Sequence, residues 1–366
     1  MKILISLGIT LLMSSHVWAW GDMGHKLVGG IAEQTMSTAA VNMVRGILGV
    51  EPVSTAAIWP DLVRDDYRFG TKTDSAKLGS ASHDFSGYHF CEIPVGYTYV
   101  TKPKNIAKDC HSILAHAGDV IKNCQATREE KIIALRYLIH VAGDIHQPLH
   151  VGNGYDRGGN ACQIQWKKTP TSFVQRNTLH AFWDETLVDE VRESFGDAAN
   201  NVKPPKYFGD FLKALTAKHP ELLTAEAKRE YNKTSINDWL LEAATLRETI
   251  YPEVASAGQP TKKGEEYKNR PYCQWYVDQD NDKLPAPGSV IDETKIPVFT
   301  AAEAASYLPL VELQLFKGGL RLAGILDRIA SEVKCPDFPK IDSNQEQIIL
   351  ESLHNSLQNI FSEPVK

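Results

Sequence analysis

The segment Arg128–His146 limits the possible folds more than any other part of the chain. Ile132, Ile133, Leu135, Leu138, Ile139, Val141, Ala142 and Ile145 cover most of a helical wheel, so the helix they predict has few polar positions to turn toward water. Such a helix has to be central, with other elements packed around it, and Pro148 ends it. The same helix carries His140 and Asp144, four residues apart and therefore on one face. A His–Asp pair at this spacing is usually a hydrogen-bonded pair or part of a solvated face. In so apolar a helix both groups are costly to bury unless something satisfies them, and a shared metal ion would do so.

The rest of the chain reads as helix almost throughout. Apolar residues recur at helical spacing in Gly24–Leu48, Ile106–Ile121, Asn177–Ser194, Tyr207–His219, Ser235–Ile250 and Ala301–Val333. Alternating patterns are scarce, and only Ala161–Trp166 reads as a short strand. Gly152–Asn160 is a Gly- and Asn-rich loop. Gly258–Phe299 is polar and Pro-bearing, which predicts a surface excursion, and residues 336–366 form a tail with a short amphipathic segment. With 43% hydrophobic residues over 366 positions the chain can build a sizeable core. The expectation is a mainly α fold: a single compact helical domain over residues 20–366, with long loops and little β.

The first nineteen residues read as a removable leader. Lys2 is a minimal basic region, Ile3–Met13 is an apolar run too short for a comfortable membrane span, and Val17-Trp18-Ala19 offers a cleavage site. The product would be secreted or periplasmic, with no membrane anchor. Cleavage removes one lysine and takes the formal charge from −6 to −7. That balance excludes a wholly basic surface for nucleic acid, but not a local patch or bound cations. In an oxidising compartment Cys91, Cys110, Cys124, Cys162, Cys273 and Cys335 could form three disulfides, and no CxxC spacing suggests a cysteine zinc site.

A second His–Asp pair, His180 and Asp184, follows on a predicted helix, and His150 lies just beyond Pro148. Three further clusters stand upstream: Trp20-Gly21-x-x-Gly24-His25, Trp59-Pro60-Asp61-x-x-Arg64 and Tyr88-His89-Phe90. His140-x-x-x-Asp144-Ile145-His146-Gln147-Pro148-Leu149-His150, Asp156-Arg157-Gly158-Gly159-Asn160 and Asn177-x-Leu179-His180-x-x-Trp183-Asp184 complete the set. In this order the blocks resemble the zinc-dependent type I nucleases, three-zinc single-strand nucleases and 3′-nucleotidases within the phospholipase C / zinc nuclease superfamily.

The resemblance implies a helical fold and nine ligand residues for three Zn2+. Asp61, His89, His140 and Asp144 would hold one ion. His150, His180 and Asp184 would hold a second. The amino nitrogen and carbonyl oxygen of Trp20, with His25 and a shared Asp144, would hold the third. It further implies hydrolysis of single-stranded DNA and RNA to 5′-phosphate products, with 3′-nucleotides as further substrates. In that scheme a zinc-activated hydroxide bridging two ions attacks phosphorus while another zinc stabilises the O3′ leaving group. Asp61, Arg64 and Asp144 would be catalytic, Arg64 by neutralising phosphate oxygens.

Phe90, Glu92 and Asn160 would bind the nucleobase by stacking and edge contacts, which favours unpaired strands. Glu92 departs from the family, where an Asp is usual, and this leaves base preference open. Taken alone, Phe90 reads as core packing, Asn160 as a turn residue and Arg64 as one partner of a surface ion pair. His83, His111, His116, His219 and His354 match no ligand position, and His146 reads as a structural neighbour of the ligands. Asn232-Lys233-Thr234 is a glycosylation sequon. With Phe90 and Asn160 on one pocket, Cys91 is expected near Cys162, and Cys110 is paired with Cys124 by proximity. A zinc phospholipase C and a non-catalytic exported zinc-binding protein are the alternatives. The chain is expected to act as a monomer.

Overall fold

The computed structural model describes residues 20–64, 86–102, 109–253, 270–275 and 291–335. The expected leader, the tail after Cys335, His83, His354 and most of the Gly258–Phe299 stretch lie outside these residues. Among them the architecture is mainly α, as expected.

Helices α1 (Gly21–Thr35) and α2 (Thr38–Leu48) replace the one helix expected over Gly24–Leu48. The break falls at Ser37, whose hydroxyl accepts from the Ala40 N–H and so starts a new helix. Short α3 (Val53–Ala56) and α4 (Trp59–Arg64) follow, then α5 (Cys110–Lys122) and the central α6 (Arg128–Asp144). A reciprocal cap between Thr127 and Glu130 fixes the start of α6. From Tyr137 to Asp144 every residue of α6 is buried, which is the central position that its all-round apolar character requires. Asp144 is its last residue.

Chain order continues with α7 (Leu179–Ala181), a π-turn over Phe182–Thr186, α8 (Leu187–Glu193), α9 (Phe208–Lys218), α10 (Ala225–Tyr231), α11 (Ile236–Ile250) and α12 (Ala301–Glu332). The helix expected from Asn177 starts two residues later because Asn177 and Thr178 belong to a strand, and Thr178 caps the helix through Ala181 N. Helix α12 runs along α1 and also packs on α2, α6, α8 and α10, closing the core around α6.

Two small sheets complete the fold. Strand β1 (Cys91–Glu92) pairs in parallel with β2 (Val151–Gly152), which ties the residues after His89 to those after His150. Strand β3 (Gln163–Lys167), matching the expected Ala161–Trp166, pairs antiparallel with β4 (Gln175–Thr178) and parallel with β5 (Val298–Thr300).

All six cysteines are paired, in a pattern that corrects the expected one. The bonds are Cys91–Cys110, Cys124–Cys335 and Cys162–Cys273. Cys110 opens α5 and Cys124 follows its far end, so about 20 Å of helix separates them at 1.5 Å per residue, well beyond disulfide reach. Cys110 instead lies against β1, where its N–H donates to the Phe90 carbonyl at 3.1 Å. Within the stretch expected as a surface excursion, Gly258–Phe299, residues 293–295 are exposed, whereas residues 270–275 are largely inside. Arg270, Tyr272, Cys273 and Trp275 are buried, held by the Cys162 bond and by a 2.8 Å hydrogen bond from Tyr272 to the Pro252 carbonyl.

Candidate metal centre

The C-terminal turn of α6 is where the chemistry-bearing side chains meet. His25, one turn into α1, stacks on the His140 ring with centroids 3.8 Å apart. This approach depends on Gly143, because a Cβ there would sit 2.9 Å from His25 Nδ1. Trp20, fully buried just before α1, donates its indole N–H to the Gly143 carbonyl at 3.0 Å and holds the start of α1 against the end of α6. On the other side of α6, Trp59 and Tyr88 both pack edge-on against Tyr137, with centroids 6.1 and 5.9 Å away. These aromatics bring Asp61 on α4 and His89, at the end of a 3-10 turn, to His140 one turn further along α6.

Among the described residues, three groups of buried His and Asp have donor atoms close enough to share an ion. In the first, His89 Nδ1 lies 2.9 Å from His140 Nε2 and 3.5 Å from Asp61 Oδ1, and His140 Nε2 is 3.7 Å from that oxygen. Asp144 Oδ2 closes the group, 3.3 Å from His140 Nε2 and 3.5 Å from His89 Nδ1. The second oxygen of Asp144, Oδ1, faces the other way and is 3.3 Å from His25 Nε2 in the second group, His25, His140 and Asp144. In the third, His180 Nε2 is 3.0 Å from Asp184 Oδ2, and His150 Nε2 is 3.9 Å from Asp184 Oδ1. The π-turn carries Asp184 and sets it against both histidines, and Trp183 in the same turn packs edge-on against Tyr307 of α12. A fourth cluster, Asp156 with Cys162 and Cys273, is no metal site, because its two sulfurs form a disulfide.

The donor set fits zinc. Donors about 2.0–2.2 Å from a tetrahedral zinc stand about 3.3–3.6 Å apart, and the separations here, from 2.9 to 3.9 Å, bracket that spacing. The outer ring nitrogens agree. His140 Nδ1 meets the Ala57 carbonyl at 2.5 Å, His150 Nδ1 the His89 carbonyl at 2.7 Å and His180 Nδ1 the Gly158 carbonyl at 2.7 Å. A carbonyl only accepts, so each Nδ1 carries the proton and each Nε2 offers its lone pair inward, as in protein zinc sites. Charge points the same way. Burial pushes the His180 imidazole down, but the Asp184 carboxylate and the Gly158 carbonyl outweigh it and hold it above its ordinary value. Glu185 beside them is held up by burial and by the Asp184 and Asp22 charges, so the pocket favours an added cation.

Arg64 ends α4, one turn after Asp61. Phe90 is half-buried directly after His89, and Glu92 on β1 lies by the Gly154 turn, where a Cβ on Gly154 would be 3.6 Å from its carboxylate. Asn160 closes the Asp156–Asn160 turn, and its side-chain N–H donates to the Arg157 carbonyl at 2.9 Å, so the turn uses part of its amide. His146 faces away from the groups: its Nδ1 meets the Ala142 carbonyl, and its Nε2 accepts from Arg321 at 3.0 Å. Burial and the Arg321 charge hold its pKa down to about 3. Asn232, the sequon residue, donates to the Lys228 and Leu320 carbonyls and is packed on Gly324.

Sequence reasoning placed Gln147 and Asp156 in its motif blocks but gave neither a role. Gln147 is fully buried and donates to Asp184 Oδ1 at 2.5 Å, while its carbonyl accepts from Leu149 N. It stands inside the His146–His150 block, so only its neutral side chain disguised it. No described helix is long and apolar enough to cross a membrane.

Comparison with known proteins agrees with this centre. The family model for S1/P1 nucleases matches residues 20–279. Endonuclease 1 of Arabidopsis thaliana is 24% identical over 357 residues, covering 90% of this chain and 94% of the plant protein. Nuclease S1 of Aspergillus oryzae is 22% identical over 335 residues, with 88% and 96% covered. Nuclease P1 of Penicillium citrinum is 26% identical over 181 residues, with 47% and 59% covered. With a family match across most of its length, and His and Asp groups able to hold metal gathered at the end of its central helix, the chain belongs to the S1/P1 nuclease family and is a nuclease.

Proposed function

We propose that this nuclease is a zinc-dependent endonuclease that hydrolyses single-stranded DNA and RNA to 5′-phosphate products and also removes phosphate from 3′-nucleotides. The observation that carries the reading is the placement of Asp144, with Oδ1 toward His25 and Oδ2 toward His89 and His140. One carboxylate so placed could be shared by two ions. Three Zn2+ would be held by Asp61, His89, His140 and Asp144; by His150, His180 and Asp184; and by Trp20, His25 and Asp144. Bound zinc would supply Lewis acidity and a water acidified to near neutrality.

The chain's own residues do the rest. The Nδ1 hydrogen bonds of His140, His150 and His180 fix the tautomer of each neutral ring, so that Nε2 is the nitrogen turned toward a cation. Asp61 and Asp144 supply negative charge that fixes cations beside the scissile phosphate. Arg64, one turn beyond Asp61, neutralises the phosphate oxygens as charge grows on them. Phe90 offers a ring for a base to stack on, with Glu92 and Asn160 at its edge, and only an unpaired base can enter such a stack. Residues 20–366 act as one domain of a monomeric, secreted or periplasmic protein, and the family match beginning at Trp20 supports cleavage after Ala19.

Testing the purified mature protein on single-stranded DNA, single-stranded RNA, duplex DNA, a 3′-nucleotide and phosphatidylcholine vesicles separates the alternatives. The expected result is cleavage of both single strands to 5′-phosphate ends, release of phosphate from the nucleotide and slow attack on the duplex. Lipid hydrolysis without polynucleotide cleavage would make the protein a phospholipase. Zinc without any phosphodiester hydrolysis would make it a binding protein.

A further inference from the structure

The Asp156–Asn160 turn faces two ways. At Gly158 it gives its carbonyl to His180 Nδ1 at 2.7 Å, and two residues later it ends on Asn160, beside the proposed base pocket. It also lies hard against the chain before His150. Gly158 has φ +58°, and a Cβ there would come within 2.4 Å of the Leu149 carbonyl, so only glycine lets the turn pack this closely on Leu149, the neighbour of His150. Asp156 organises the turn. It is fully buried, accepts from Gly159 N at 3.0 Å, and takes a 2.6 Å hydrogen bond from the Tyr251 hydroxyl. Asn153 adds to this, accepting from the Tyr155 and Asp156 N–H groups.

Tyr251 is held in turn from outside the site. The Arg270 guanidinium lies over its ring, 3.5 Å from the centroid, and is itself bound to Glu248 at 2.9 Å. Arg270 belongs to the 270–275 segment, which the Cys162–Cys273 bond fastens to the residue two beyond Asn160. None of Tyr251, Asp156 and Arg270 belongs to the metal groups assigned to catalysis.

We infer that Tyr251 is a positioning residue that, through Asp156, sets one turn for two tasks: orienting His180 toward its metal and presenting Asn160 to the nucleobase. The inference rests on the zinc nuclease reading of the same site. Removing the hydroxyl therefore loosens one metal and weakens substrate binding together, although Tyr251 touches neither.

The test uses Tyr251→Phe, which keeps the ring under Arg270, beside wild type and Asn160→Ala. Zinc retention is followed by chelator competition, and KM and kcat are measured on a single-stranded oligonucleotide. Tyr251→Phe should hold two zinc equivalents as wild type does, release one about tenfold more readily and show KM raised severalfold. Asn160→Ala should raise KM and leave all zinc in place, which shows that the two readouts are separable. If Tyr251→Phe changes melting temperature alone, or moves only one of zinc retention and KM, the coupling is refuted. Wild type lacking zinc or cleavage would refute the nuclease reading beneath it, a result distinct from a normal wild type with an unaffected variant.

Discussion

On the metal side of the site, nearly every donor stands on or beside a helix that the core holds rigid: His25 on α1, Asp61 on α4, His140 and Asp144 on α6, His180 on α7. On the substrate side, Phe90 directly precedes the two-residue strand that holds Glu92, and Asn160 ends a glycine turn, each fastened by a disulfide or a buried hydrogen bond. The first region is set by packing of apolar faces and the second by a few long-range ties. The two should therefore fail differently, one by losing metal and the other by losing affinity for substrate.

Gln147→Leu strikes the metal side without touching a donor. The Asp184 carboxylate loses its 2.5 Å partner in a fully buried setting, and zinc affinity at that group should fall by about 10- to 100-fold, with activity restored only by excess zinc. Titration with zinc while cleavage is followed checks this, and unaltered affinity would place Asp184 under other control. The paired change Cys91→Ser, Cys110→Ser strikes the substrate side. Opening a bond across 19 residues should cost about 3 kcal/mol of stability and let β1 drift, raising KM while zinc content stays at the wild-type value. Zinc loss in that variant would erase the distinction between the two regions.

A third effect concerns acid stability. His146 is held neutral to about pH 3, against about 6.5 when unfolded, so the unfolded chain takes up a proton between those values and the folded chain does not. Its contribution is complete above about pH 6.5 and is lost as pH falls toward 3. His146→Gln can still accept from Arg321 but cannot titrate there, so denaturation midpoints measured from pH 7 to 4 should decline less steeply than in wild type. An equal slope would show that other groups govern acid unfolding.

The same contrast explains what could be read from the chain. His140 with Asp144, and His180 with Asp184, announce themselves because a four-residue step brings side chains to one helix face, and the apolar surroundings of the first pair demand a partner. The start of α2 was hidden because Ser37 breaks the helix without breaking the apolar period. The Cys110–Cys124 expectation failed against information already in the sequence, since the helix predicted between them is too long to bridge. Cys91–Cys110 and Cys162–Cys273 depend on where β1 and residues 270–275 dock, and no local pattern encodes that. Gln147, Asp156 and Tyr251 were illegible for a related reason: a neutral amide, a loop carboxylate and a helix-end tyrosine gain their meaning only from distant partners.

The most direct test of the account is the zinc content of the mature protein beside Asp144→Asn, with cleavage of single-stranded DNA measured on the same samples. Asp144 faces two groups, so the account predicts close to three zincs and cleavage in wild type, and at least one zinc lost with cleavage abolished in the variant. A variant that keeps all its metal and cuts at the wild-type rate would contradict the shared carboxylate and the ligand assignment built on it.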